Sequence, residues 1–106
     1  MIPEQHPTVI IRHCGDYDSK KIEAIIGDGL DTMGLRPRGR TLVKPNVVAS
    51  GELFPNAYTR PEFTKGVINA LRARADESVT ELAVGERCGI TVPTRFSYEQ
   101  AGYLDL

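Results

Sequence analysis

The chain has 106 residues, 41% hydrophobic and 25% charged, with a net charge of −1. That size allows one domain with a modest core, and the near-neutral balance gives no bulk attraction to nucleic acid or an anionic membrane. No apolar run approaches the roughly 20 residues needed to cross a bilayer. Met1 to Pro7 lacks the apolar centre of a signal peptide, and two cysteines, Cys14 and Cys88, are too few for a disulfide scaffold. A cytoplasmic protein with reduced thiols is the expectation.

Thr8-Val9-Ile10-Ile11-Arg12 is β-branched and continuous, which predicts a strand buried on both faces. His13-Cys14-Gly15-Asp16 follows as a loop. Asp18 or Ser19 offers an N-cap, and Ile22, Ile25, Ile26, Leu30 and Met33 recur at helical spacing. Gly34 suits the left-handed position that ends a helix, with Pro37 just beyond. Gly27 and Gly29 weaken this helix by about 1 kcal/mol each relative to alanine, and close packing against the sheet would account for them.

The second strand is predicted over Thr41 to Lys44. A long loop, Pro45 to Tyr58, follows; loops of this length are often functional. Thr59-Arg60-Pro61-Glu62 then reads as a capping box, with threonine at the N-cap and glutamate three residues later. Phe63, Val67, Ile68 and Leu71 form the apolar stripe of the second helix, and Arg72 and Arg74 suit the negative end of its dipole. A third strand is predicted over Glu81 to Val84, ending at Gly85-Glu86-Arg87, and a short helix near Thr94 to Ala101, ended by Gly102.

The order β-α-β-α-β-α predicts an α/β fold: a mostly parallel sheet of at least three strands, in three layers with helices on its faces. Residues 1–106 read as a single α/β domain or as the N-terminal fragment of a longer domain, because a new apolar run opens at Gly102-Tyr103-Leu104-Asp105-Leu106. Three strands leave exposed edges, to be covered by further strands or by a second copy in a homodimer.

In an open parallel sheet, ligands sit outside the carboxyl ends of the strands. Leu42-Val43-Lys44-Pro45-Asn46 delivers Lys44 and Asn46 to that place. A lysine there can meet a phosphate or carboxylate, and asparagine can donate and accept. The plainer alternative is that Lys44 reaches solvent and Asn46 closes the turn with its own side chain. Thr59 and Arg60 open a helix whose free N–H groups favour anions. Glu86 ends the third strand, as an acid/base group, a metal ligand or an ion-pair partner of Lys44. His13, Cys14 and Cys88 follow strand ends on the same predicted face. If the first and third strands are neighbours, the two thiols come close enough to form a disulfide, hold a metal or ligate part of a cluster; against this, buried free cysteines are common and these are not in a Cys-x-x-Cys pair. Arg36-Pro37-Arg38-Gly39-Arg40 reads as a solvated basic loop, and no nucleic-acid partner is expected. Gly27-Asp28-Gly29 lies inside a helix, so it is not a dinucleotide-binding turn.

With these residues placed, the chain resembles the N-terminal part of the family catalogued as domain of unknown function 362. The resemblance rests on Lys44-Pro45-Asn46 at a strand end, Thr59-x-Pro61-Glu62 at a helix start, Gly85-Glu86 at the next strand end and Gly102-Tyr103 after a short helix, and it extends over roughly residues 8 to 106. It implies an α/β domain within a longer chain. Some relatives carry ferredoxin-type cysteine clusters, which implies electron transfer; this sequence holds no such cluster, so an iron–sulfur group would belong to the longer native protein or a partner. Arg60 stands where the family often has histidine, and no proton transfer is assigned to it. The expectation is a small-anion (carboxylate or phosphate) binding part of a redox-linked enzyme. The alternatives are a non-catalytic module supporting an iron–sulfur partner and a structural fragment that dimerises.

Overall fold

Helix α1, Ser19–Met33, begins where Asp18 accepts hydrogen bonds from the backbone N–H groups of Lys20 and Lys21 at 2.9 and 3.3 Å. Those are two of the four donors that a helix start leaves without partners. It ends at Gly34, whose φ of 66° no β-branched side chain would accept. There Leu35 N–H donates to Leu30 O and Gly34 N–H to Asp31 O, the paired bonds of a Schellman motif. Both ends are therefore where the sequence places them. A computed structural model describes residues 6–50, 55–86, 95, 102 and 103.

Strand β1, Gly39–Val43, pairs in parallel with β2, Val79–Val84, with Thr41 opposite Leu82 and Val43 opposite Val84. Between them in sequence comes helix α2, Pro61–Arg72. This is a parallel α/β arrangement, as expected, with two strands among the described residues rather than three. Among the described residues α1 packs chiefly on α2, and α2 contacts β1. The helix expected near residues 94–101 lies, apart from Arg95, outside the described residues.

The run Thr8–Arg12 does not form the expected strand. Val9 is 75% and Ile11 88% exposed. β-Branched residues favour extended backbone, but a strand also needs an edge to pair with, and this segment lies along α1 instead. Arg12 pairs with Asp28 at 3.0 Å, and a Cβ on Gly29 would lie 3.9 Å from the Ile10 side chain. The glycines of α1 therefore do not face the sheet. Gly29 faces Ile10, and Gly27 faces the guanidinium of Arg74, just past α2.

The helix–helix contact is built on small residues. Thr64, Gly66 and Ala70 are the buried residues of α2, while Phe63 of the expected apolar stripe is 39% exposed. A Cβ on Gly66 would lie 2.6 Å from Ile22 Cγ2 and 3.0 Å from the Glu23 backbone nitrogen. The two helices thus approach too closely for a larger residue at that point. Arg74 closes the far end: its Nε and Nη2 donate to the two carboxylate oxygens of Asp31, each at 2.9 Å, and its Nη1 donates to Ala70 O at 3.0 Å. The last bond satisfies a terminal carbonyl of α2, the dipole-complementing place expected for this arginine. A second cluster joins Val47 and the half-buried Tyr58, from the two arms of the long loop, to Tyr103. No helix among the described residues is long and apolar enough to cross a membrane.

Candidate functional site at the strand ends

Lys44 follows β1 directly. The ladder continues one step beyond, with Gly85 N–H donating to Val43 O at 3.1 Å, so Lys44 and Glu86 leave the sheet side by side. Lys44 Nζ stands 3.0 Å from Glu86 Oε2; the lysine side chain is 63% exposed and the glutamate only 10%. Pro45, buried and without an N–H, cannot extend the ladder, so the chain turns away here.

Asn46 is tied to Thr59 through the backbone. Its N–H donates to Thr59 Oγ1 at 3.1 Å, and its carbonyl accepts from Thr59 N–H at 2.7 Å. Beyond it, Val47 forms an antiparallel bridge with Tyr58, and Val48 N–H donates to Ala57 O. The two arms of the long loop are zipped together next to the strand end, and the Asn46 side chain is left exposed.

The expected capping box does not form. The N-cap of α2 is Arg60, without a side-chain cap bond, and the Thr59 hydroxyl serves Asn46 instead. Thr59 lies one residue too early to reach the free N–H groups of the helix. Glu62 takes that place: its own backbone N–H, foremost, and the Arg60 guanidinium hold its carboxyl below the usual range. Arg60 Nε donates to Glu62 at 3.3 Å while its guanidinium lies 4.7 Å from the centre of the Tyr17 ring. This arginine is turned toward the loop before α1.

Sequence reasoning missed the hydroxyl chain beneath this loop. Tyr103, 8% exposed, donates to Thr59 O at 2.7 Å. The hydroxyl of Thr64, 1% exposed, lies 2.8 Å from the Tyr103 oxygen. A signal existed in Thr64, a threonine between apolar positions of the inward face of α2, because a buried hydroxyl needs a partner.

The remaining candidates are dispersed. His13 and Cys14 are exposed on an unpaired segment, and Cys14 Sγ lies 3.2 Å from Asp16 O. Cys88 lies outside the described residues. The neighbouring strands on which a shared site depended are absent among the described residues, where β2 pairs with Gly39–Val43 alone. No group of three or more His, Cys, Asp or Glu there could hold a metal ion. A groove of about 320 Å³ separates Arg12, Cys14 and Tyr17 from Ile22, Ile25 and Phe63. Another, of about 340 Å³, runs between Lys65, Asn69 and Arg72 of α2 and Leu82 and Val84 of β2, with Tyr103 at its edge. The basic loop is partly neutralised, with Arg36 on Asp31 and Arg40 on Glu81, each at 2.9 Å.

Residues 41–106 match the family model described as Domain of unknown function (DUF362). The chain belongs to the DUF362 family. The match contains the Lys-Pro-Asn strand end, the Thr59–Glu62 helix start, Gly85-Glu86 and Gly102-Tyr103, and so bears out the resemblance read from them; residues 8 to 40 lie outside it. Within this DUF362 region fall Lys44, Asn46, Thr59, Arg60 and Glu86, whereas His13 and Cys14 do not. No curated protein and no solved structure matches the chain.

Proposed function

We propose that this DUF362 domain binds a small anion, a carboxylate or phosphate, at the carboxyl ends of its parallel strands. Lys44 is the charged contact, Asn46 and Thr59 form the polar wall beside it, and Glu86 orients the ammonium. The observation that carries this reading is the Lys44–Glu86 pair, whose carboxylate is nearly buried and whose lysine is open to solvent. An ammonium has three N–H donors. A carboxylate anchored in the protein holds the group in place while engaging only part of its donor capacity. Asn46 adds an exposed side chain on a backbone fixed by two hydrogen bonds to Thr59, the kind of preorganised polar group that ligand sites use.

Glu86 also competes with the ligand for the same charge, so affinity is modest and falls with salt. Arg60 ranks below Lys44 as a contact because Glu62 and Tyr17 already engage it. These residues are assigned to binding, and no reaction step is assigned to them.

The test is thermal melting with phosphate and acetate, at ionic strength matched by chloride. At about ten times Kd a ligand stabilises by about 1.4 kcal/mol, a rise of several degrees in Tm for a domain of this size. Lys44→Ala should abolish the rise. A melt unchanged across the anion panel would refute the reading.

A further inference from the structure

We infer that Tyr103 is a positioning residue for the strand-end crevice, acting through Thr59 on Asn46; this rests on the anion-binding reading above. Thr59 sits just before the N-cap of α2, so its carbonyl has no place in the helix hydrogen-bond pattern. Tyr103 supplies the missing donor, at 2.7 Å. With its only proton given to Thr59 O, the tyrosine oxygen accepts from Thr64 Oγ1 at 2.8 Å.

The chain of bonds runs from a fully buried threonine on α2, through Tyr103, to the Thr59 carbonyl. The same Thr59 then holds Asn46 on both sides, by its hydroxyl and its N–H. Val47, 0% exposed, clusters with the Tyr103 ring directly after Asn46 in sequence. The ring therefore supports the loop from below while the hydroxyl fixes its closing residue. A phenylalanine would keep the first function and lose the second, which makes Tyr103→Phe the discriminating variant.

Two measurements on the full chain test this. Amide hydrogen exchange of Asn46 and Thr59 should accelerate in Tyr103→Phe by about tenfold relative to amides in the middle of α1, the factor corresponding to one net hydrogen bond. Inorganic phosphate, titrated calorimetrically, should bind about tenfold more weakly on the same grounds. Thr64→Val, which removes the donor to Tyr103, should shift both readouts in the same direction. Exchange that accelerates equally throughout the chain would show a merely structural tyrosine and overturn the proposal. So would an unchanged phosphate Kd in a chain that binds phosphate. If the unmodified chain binds neither phosphate nor acetate, the anion site fails, while the exchange rates of Asn46 and Thr59 still decide whether Tyr103 orders the loop.

Discussion

At its N-terminal end α2 is fastened by neutral hydrogen bonds to a buried tyrosine, and at its C-terminal end by charged hydrogen bonds near the surface. Thr64 and Tyr103 are 1% and 8% exposed. Asp31, which holds Arg74, has a side chain 49% exposed. The first lock answers to burial and geometry, and salt should scarcely touch it. The second answers to solvent conditions, because exposed charges are screened and titrate. Between the two, Gly66 sets the distance of α2 from α1. Asn46 stands beside the buried lock, joined to it through its two backbone bonds to Thr59.

The largest effect is expected at the midpoint. Gly66→Val would force carbon atoms against Ile22 and the Glu23 backbone, which cannot rotate away, and should cost about 3 kcal/mol, the upper range for overpacking; urea denaturation measures it. A variant as stable as the parent would mean that the helices sit further apart. Next comes Tyr103→Phe, with a loss of about 1–3 kcal/mol from the unpaired Thr59 carbonyl and Thr64 hydroxyl. That loss should be the same at low and high salt, and a loss that disappears in salt would break the contrast between the locks.

Arg74→Ala tests the charged end. The Arg74 hydrogen bond, foremost, holds the Asp31 carboxyl below its ordinary value near 3.8. A carboxyl depressed in the folded state stabilises above its unfolded pKa, and the contribution is lost as pH falls through the folded one. The melting temperatures of parent and variant should therefore differ at neutral pH and converge in strong acid, below the ordinary aspartate range. A difference unchanged from neutral to acidic pH would dissociate the clamp from Asp31. The smallest effect is expected at Gly27→Ala. A Cβ there would meet the Arg74 guanidinium at 2.5–2.8 Å, but that is the end of a flexible side chain, and alanine returns about 1 kcal/mol of helix propensity. Stability should change little, while the Asp31 carboxyl, followed by NMR titration, rises toward its ordinary value.

The ends of α1 were legible because their signals are local: Asp18 and Gly34 act within a few residues of themselves. The strand leading into Lys44-Pro45-Asn46 was legible for the same reason, since proline stops a ladder wherever it occurs. Thr8–Arg12 misled because β-branching reports a backbone preference and says nothing of whether an edge is at hand. The capping box misled by one position: Thr59 has the right chemistry, but Asn46, distant in sequence, claims its hydroxyl. Phe63 fits the apolar period of α2, yet the close approach of Ile22 selects Gly66, and Ala70 is buried where Phe63 is not. Lys44 and Glu86 could be named as neighbours from the order of elements, but the burial of one and exposure of the other depend on packing that no spacing records.

The bonds that hold the domain together also bear on how it folds. Arg40 and Glu81, across the sheet, are 41 residues apart; Arg74 and Asp31 are 43 apart; Thr64 and Tyr103 are 39 apart. Each closes a loop of similar length, so each alone carries a similar entropic cost before any contact offsets it. Once either of the first two pairs has formed, the ends of the other are already near each other and it closes at lower cost, whereas the Thr64–Tyr103 loop is not shortened by them. Helix formation within α1 can be fast, whereas α2 reaches α1, and β2 reaches β1, only by closing such loops. High contact order of this kind favours slower, concerted folding over assembly helix by helix.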